Sequence, residues 1–543
     1  MTPDEFRRQG HAMVDWIADL LAGGDGDARR QDDDGRDDDR EGDGGGGRLA
    51  TSDAVRGRRV FPDVSPGDIR AQLPEHPPAE TEPFDAVMAD LERIIVPGLT
   101  QWQHPGFFAW FPSNVSFPSI LGELMSAGLG VNAMAWATSP AATELETLML
   151  DWMHELLDLP ERFRSTSATG GGVIQGTASE ATLVAMLAAR WRATGGAANT
   201  DGDTTHLVGY TTSQAHSSIE KGFRIAGIGT DRVRVVDHDE NFAMRPDVLA
   251  RMIEHDLAAG LTPFFVCSAH GTTSSMAFDP TDAIAAVTEP HGIWLHVDAA
   301  MSGIAALEPE FRWVNDGLDR VDSYTTNPHK WMGINFDCNL FWVADSEPLI
   351  GALSILPPYL QSEAARAGAA IDYRDWQIPL GRRFRALKLW FALRVDGVGP
   401  TRSMIRDHVA WTQELARLVA ADERFEVLAP HPLNLLTIAR SGRDEDGDAP
   451  AGDDADGGAT DRRARANERT DALIEAANAT GRVLFTRTVL DGRSALRISV
   501  GASATTRTDV LAAWTLLSDL AGPTPDAGAT DRDDPMSLPT SDA

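Results

Sequence analysis

The sequence predicts an α/β protein: a mostly parallel central sheet packed between helices, followed by a smaller α+β domain. Two observations carry this. Between about residues 117 and 387, helix-like stretches alternate with the short apolar runs HLVGYTT (206–212), RVRVV (232–236), PFFVCSA (263–269), IWLHVDAA (293–300) and DCNLFWVA (337–344). Runs of this type, bounded by helical segments, belong to a sheet buried on both faces and joined by helical crossovers. After about 388 the pattern changes: the helix-like KLWFALRVDG and 402–421 lead into two β-like pieces, LNLLTIAR and ALRISVG. A chain of 543 residues, 42% apolar and 24% charged, is long enough for about two to four domains with buried cores.

The elements follow in order. Residues 4–21 read as an amphipathic helix, because Phe6, Met13, Ile17, Leu20 and Leu21 recur at helical spacing and leave one apolar stripe in need of a partner. The Asp/Gly run 24–47 is too polar to offset its ordering entropy and reads as a disordered insert. Pro-punctuated segments and a helix around Phe84–Ile95 complete an N-terminal segment, 1–116, expected to serve dimerisation. The large domain is expected over 117–387 and the small one over 388–520, with an acidic loop at 441–463 and a disordered acidic tail at 521–543. The first residues carry acids from position 4 and no continuous apolar core, unlike a signal peptide, and no window of 18 apolar residues exists. Cys267 and Cys338 lie in apolar runs and read as buried thiols. A soluble cytoplasmic protein is expected.

Charge narrows the partners. With 81 acidic against 48 basic side chains the net charge is −33, which repels nucleic acid and anionic membranes. Residues 24–47 hold ten acids and four bases, 441–463 eight and three, and 522–543 five and one, so the remaining body still carries −18. Such a surface is tolerable where salt screens it, and a halophilic cytosol is expected. Lys221, Lys330 and Lys388 are the only lysines; a GC-biased genome accounts for part of that scarcity.

Three motifs carry chemistry. Ser167-Ala-Thr-Gly-Gly-Gly-Val-Ile-Gln-Gly-Thr-Ala-Ser-Glu-Ala181 precedes a helical run, so glycines and a helix start at Ser179 form an anion cradle; otherwise this is a loop with Ser179 as cap. Its spacing fits neither the P-loop nor the dinucleotide fingerprint. IWLHVDAA places Asp298 at the C-terminal edge of a strand, where open α/β sheets bind ligands, unless it is merely a turn residue. Thr326-Asn-Pro-His-Lys-Trp331 puts a rare lysine, Lys330, in an apolar setting where a lowered pKa makes it a Schiff-base nucleophile, unless it is a structural lysine. A phosphate cradle, a carboxylate and a reactive lysine are together the parts that hold pyridoxal 5'-phosphate. No metal is expected.

With these motifs the chain resembles the group II pyridoxal-phosphate-dependent amino-acid decarboxylases, and most nearly their aromatic-L-amino-acid branch. The strings RRVFPDVSPGDIR, SPAATELETLMLDW, GGGVIQGTASEATL, SQAHSSIEKG, HVDAA, NPHKW and DYRDWQIPLGRRFRALKLW carry the resemblance, over about residues 4–22 and 58–520. It implies the fold type I, aminotransferase-like architecture and a homodimer with the N-terminal helix crossing to the partner. It further implies Lys330 as the Schiff-base lysine, Asp298 as partner of the pyridinium nitrogen and His216 stacked on the cofactor ring. By the same resemblance Ala178, Ser179, Asn327 and His329 contact the phosphate, and Thr273 and Ala300 line the ring. Ser113 stands near the substrate carboxylate, Tyr359 on a mobile loop delivers a proton, and Arg382 either contacts substrate or supports the fold through an ion pair. Met301, Trp110 and His270 depart from the animal-type pattern in what are expected to be walls of the substrate region.

The implied activity is decarboxylation of an aromatic L-amino acid (tryptophan, tyrosine, phenylalanine or dihydroxyphenylalanine) to its amine. The alternatives are an oxygen-using aldehyde synthase, whose members change the stacked histidine to Asn or the loop tyrosine to Phe, or a decarboxylase of histidine, glutamate or aspartate. A cofactor-binding protein without catalysis, or an acidic scaffold, is the reading from another class.

Overall fold

All five apolar runs become strands of one sheet. The computed structural model describes residues 1–22, 53–355, 370–441 and 457–523. Expectations about 24–47, Tyr359, most of 441–463 and nearly all of 521–543 fall outside the described residues. The large sheet contains β1 (Gly171–Gln175), β2 (Leu207–Thr212), β3 (Val233–Val236), β4 (Thr262–Ala269), β5 (Trp294–Asp298), β6 (Ser323–Thr326) and β7 (Asn339–Val343), in the order β1-β7-β6-β5-β4-β2-β3. Pairings among β2 to β6 are parallel, and β7 is antiparallel to both its neighbours. Every residue of β1, β2 and β7 is buried, so both faces are covered.

Two of these strands go beyond the sequence reading. SYTT (β6) has too few apolar residues to stand out, and the glycines of β1 read as loop. The packing explains them: a Cβ on Gly172 would lie 2.6 Å from Trp342 Cδ1 on β7, so the indole's approach requires glycine there. Both cysteines are buried and unpaired, as expected.

The small domain is an antiparallel sheet of β8 (Phe425–Val427), β9 (Leu435–Arg440), β10 (Thr486–Leu490) and β11 (Arg493–Ser499), in the order β10-β11-β9-β8. Leu436, Ile438, Leu496 and Ile498 form its core with Leu415, Val419, Leu473 and Leu517 of the surrounding helices. The alternate positions Thr437 and Arg497 project the other way, toward the large domain.

The expected domain limits need correction. Helix Ala386–Val395 spans the boundary at 387/388, yet Ala386, Leu387, Leu389 and Ala392 all pack into the large core. It lies so close to helix Phe117–Leu129 that a Cβ on Gly122 would come within 2.5 Å of Lys388 Cα. Helix Gly399–Ala420 then passes from the large core (Met404, Ile405, Val409) into the small one (Leu415, Ala416, Val419). Phe108 of the N-terminal segment also belongs to the small core, its amide bonded to Leu484 O. Part of the expected acidic loop, 457–463, begins helix Gly457–Ala479. No helix among the described residues is long and apolar enough to cross a membrane.

Because β2, β4, β5 and β6 are parallel, their C-terminal ends share one edge of the sheet. Two antiparallel steps through β7 give β1 the same direction, so its C-terminal end joins them. A cleft of about 770 Å³ lies against that edge.

Candidate active site

Each strand end sends one segment into the cleft. The turn after β1 brings Thr177, Ala178 and Ser179; the turn after β2 brings His216 and Ser218. After β4 come Gly271, Thr272 and Thr273, at β5 Asp298, Ala300 and Met301, and after β6 Asn327, His329 and Lys330, with Phe111 and Phe336 as further walls. Nine of the residues expected at the site thus meet in one cavity: Ala178, Ser179, His216, Thr273, Asp298, Ala300, Asn327, His329 and Lys330.

Hydrogen bonding sorts the lining into two ends. Thr177 caps helix Ala178–Thr194, accepting from the amide of Glu180. The amides of Ala178 and Ser179 start that helix and have no acceptor within it. The expected cradle at the helix start is present, with Thr177 as its cap; the alternative reading, a loop capped by Ser179, gives the cap to the wrong residue, and Gly171 and Gly172 of the glycine run belong to β1. His329 Nδ1 accepts from the Cys338 amide at 3.0 Å, which leaves the ring proton on Nε2. Burial holds that ring neutral, its pKa pushed down to about 3. Asn339 Nδ2 donates to Asn327 Oδ1 at 2.8 Å, so Asn327 has only its own amide protons to offer a ligand. An amide pair, a hydroxyl, a carboxamide N–H and an imidazole N–H form a donor set that suits a phosphate.

Asp298 supplies the opposite chemistry. One carboxylate oxygen accepts from the Ala300 amide at 3.0 Å, and the group lines the cavity as a hydrogen-bond acceptor. Lys330 completes the lining. Its amine lies 5.2 Å from the centre of the Phe111 ring, and its carbonyl accepts from Asn114 Nδ2 at 2.9 Å. Burial lowers the Lys330 pKa, opposed by Asp298 and assisted by Arg497. A heterocycle that carries a phosphate, a protonatable ring nitrogen and a carbonyl finds a matching group for each of these, and pyridoxal phosphate fits that description.

Two of the expected site residues, Ser113 and Arg382, do not line the cleft. Tyr359 is outside the described residues. Ser113 is half-buried, and its carbonyl accepts from Gln103 Nε2 at 2.6 Å. Arg382 is buried in the large core. Its guanidinium is bound to Glu146 Oε1 at 2.6 Å, to the carbonyls of Ile174 and Ala133, and to Gln377, and it covers the Tyr373 ring. The structure places it in that ion pair and outside the cleft lining. Of the expected walls, Met301 lines the cleft. Trp110 stacks on Trp102 at 5.6 Å outside the lining, and His270 is a core residue bonded to Val314 O and Thr281 Oγ1.

The sequence reading missed Arg497. It is 2% exposed on β11, donates to Thr273 O and Thr486 Oγ1, and lies over the Phe111 face opposite no carboxylate; its Nη2 has no partner among the described residues. Burial drops its pKa to about 10. The signal available was a charged residue at an inward position of a strand whose alternate residues already form a core.

Comparison with known proteins agrees with this geometry. Residues 66–438 match the pyridoxal-dependent decarboxylase conserved domain. Phenylacetaldehyde synthase of Arabidopsis thaliana is 40% identical over 96% of both chains, and bovine aromatic-L-amino-acid decarboxylase is 38% identical over 96% of this chain and 97% of its own. The crystal structure of Oryza sativa TDC with pyridoxal phosphate and tryptamine superposes with a TM-score of 0.85 at 36% identity, over 96% of this chain and 98% of that one.

If Arg382 serves the fold, Arg382→Met strands the buried Glu146 carboxylate and should cost about 3–5 kcal/mol in denaturant unfolding. The double variant Arg382→Met/Glu146→Gln removes the stranded charge and should regain most of that stability together with turnover. A double variant as stable as the parent yet unable to turn over substrate would return Arg382 to a substrate role.

Proposed function

The chain belongs to the pyridoxal-dependent decarboxylase family and is a pyridoxal-phosphate-dependent carboxy-lyase; from that premise we propose that it converts an aromatic L-amino acid to the corresponding amine and CO2. The observation that carries the reading is the cleft itself: a buried amine between an anion-binding end and a carboxylate, under the aromatic walls Phe111 and Phe336. Relatives named for aromatic amino acids, alike along nearly the whole chain, support the aromatic side chain.

Bound pyridoxal phosphate supplies the carbonyl that takes the substrate amine and a protonated ring that accepts the electron pair left when CO2 departs. The protein's part follows from its residues. Ala178, Ser179, Asn327 and His329 anchor the phosphate. Asp298 holds a proton at the ring nitrogen. Lys330, its pKa lowered by burial, would hold the cofactor's carbonyl carbon until a substrate amine takes its place, and His216 would cover one side of the site. Tyr359 is proposed, on the resemblance alone, to return a proton to the carbon that lost CO2. The substrate carboxylate needs a cation, and Arg497, not Arg382, is the buried arginine beside Lys330 with an unused N–H.

A second reading, oxygen-dependent aldehyde formation, is favoured by the Arabidopsis thaliana relative named for that product. One experiment separates the two. The holoenzyme is offered each of the twenty amino acids while amine, aldehyde and oxygen uptake are recorded. Amine from an aromatic substrate without oxygen uptake is expected. Aldehyde with oxygen uptake selects the second reading, and amine from glutamate, aspartate or histidine alone overturns the aromatic assignment. Lys330→Ala should abolish turnover, and borohydride should no longer fix the cofactor to the 330 peptide.

Arg497→Met should lower kcat/KM by about 10- to 150-fold, the equivalent of about 1.5–3 kcal/mol for a lost charged hydrogen bond. Arg497→Lys should lose less. A change below twofold in a normally folded Arg497→Met protein removes Arg497 from the substrate's carboxylate.

We further propose a homodimer adapted to a salty cytoplasm. Phe6, Met13 and Val14 on helix Pro3–Ala22, and Leu121, Leu124, Met125 and Leu129 on helix Phe117–Leu129, are exposed apolar side chains that a second copy can cover. Acidic bodies repel over about 30 Å at 0.01 M salt but only about 3 Å at 1 M. Dimer content and activity, measured by sedimentation and amine release from 0.1 M KCl upward, should rise together. A fully active dimer at low salt with no further gain rules out the salt adaptation, and a fully active monomer rules out the dimer.

A further inference from the structure

His216 follows the turn after β2, and Ser218 opens helix Ser218–Ile225 two residues later. Two groups of Ser218 converge on one ring nitrogen: its backbone N–H donates to His216 Nδ1 at 3.2 Å, and its Oγ lies 2.9 Å from the same atom. A backbone amide can only donate. Nδ1 must therefore offer its lone pair, and the neutral ring carries its proton on Nε2. The hydroxyl reinforces this by donating to the same lone pair. Protonating Nδ1 would force the hydroxyl to turn round and would set the new N–H against the amide N–H.

The surroundings leave the ring little freedom to escape. Ser218 is 6% exposed and lines the cleft, so water has little access to replace its hydroxyl. The turn is also tethered: the Gln214 amide donates to Thr212 Oγ1 at 3.2 Å, and Ser275 Oγ donates to Gln214 Oε1 at 3.2 Å. Ser275 is in turn 2.7 Å from Thr272 Oγ1, on the cleft lining. The charged groups that act on the ring are Asp298 at the end of β5, which favours its protonation, and Lys330 after β6, which opposes it. Desolvation is the largest influence and lowers the His216 pKa.

Resting on the reading of this cleft as a decarboxylase site, we infer that Ser218 is a positioning residue that locks His216 in its neutral Nε2–H tautomer, so that the ring presents a hydrogen-bond donor and no base to the occupant of the cleft. The lock assigns His216 to holding and shielding, and leaves proton transfer to other groups.

The test uses full-length protein with 15N-labelled histidine, the His216 signals being identified by their loss in His216→Gln. The wild type should show Nε2 protonated and Nδ1 bare at neutral pH. In Ser218→Ala the protonation midpoint of His216 should rise by about half a pH unit, the order expected for a lost neutral hydrogen bond. Ser218→Thr keeps the hydroxyl and should restore the wild-type midpoint. In the holoenzyme Ser218→Ala should lower kcat severalfold with KM within twofold, and the acid limb of the kcat profile should move up by the same half unit. A purely structural role would lower activity without moving that limb. A wild-type His216 protonated on Nδ1, or a midpoint unmoved in Ser218→Ala, overturns the proposal. The spectra do not depend on turnover, so a wild type that decarboxylates nothing would count against the functional reading and leave the tautomer result standing.

Discussion

The site is built around one buried amine whose pKa the fold pulls down. A lysine in water is almost fully protonated at neutral pH and has no lone pair with which to attack a carbonyl. Desolvation is the largest influence on Lys330 and lowers its pKa, and the nearby cation of Arg497 adds to the shift. Asp298 pulls in the opposite direction. An amine, a guanidinium and a carboxylate out of bulk water are expensive to hold, and they persist only where the backbone around them cannot relax. Asn114 meets that demand: it is fully buried, donates to the carbonyls of Lys330 and Gly501, and accepts from the Ser503 amide. One carboxamide thereby ties the lysine segment to the small domain.

The small domain is part of the site for the same reason. Its sheet turns Leu436, Ile438, Leu496 and Ile498 into its own core and presents polar residues to the turn that follows β4. Arg497 Nε donates to Thr273 O at 2.6 Å, Thr437 Oγ1 donates to Ser274 O at 2.8 Å, and Thr488 Oγ1 lies 2.7 Å from Ser274 Oγ. These bonds hold the 271–276 turn, which enters and leaves through the left-handed residues Gly271 and Met276. A turn with a non-glycine residue in that region is strained and needs outside support. The small domain gives that support, so one wall of the cleft, at Gly271, Thr272 and Thr273, is braced from the second domain.

How much of this was legible in the sequence follows from the range of the forces involved. The strands of the large sheet that are hydrophobic on both faces announced themselves, and the segments at their C-terminal ends carried the lining of the cleft in recognisable motifs. β1 and β6 did not, because their form depends on neighbours: Gly172 makes sense only beside Trp342, and SYTT only between β5 and β7. Arg382 and Arg497 show the same limit. Both are arginines in motifs that continue an apolar segment, and local sequence does not say which guanidinium meets a carboxylate. The fold gives Glu146 to Arg382 and leaves an N–H of Arg497 without a partner among the described residues. The domain limits failed where a helix such as Gly399–Ala420 serves two cores in succession, since its apolar stripe changes partner without changing period.

The lysines carry the argument one step further. A chain that otherwise writes its cations as arginine keeps lysine at 221, 330 and 388. At 330 the reason is titration, since a guanidinium stays charged where an amine can lose its proton. At 388 it is shape. That side chain is fully buried and paired with Glu123 Oε2 at 3.0 Å, on a helix pressed against Gly122. A compact ammonium fits where a planar fork of five donors would need more room and more acceptors. Lys221 is exposed on helix Ser218–Ile225, and nothing in the structure explains it. Rarity therefore marked two buried lysines out of three but could not say which of them reacts. What separates Lys330 from Lys388 is the setting of each: Lys388 is paired with Glu123 on the packed face of a helix, whereas Lys330 lines the cleft, where burial lowers its pKa.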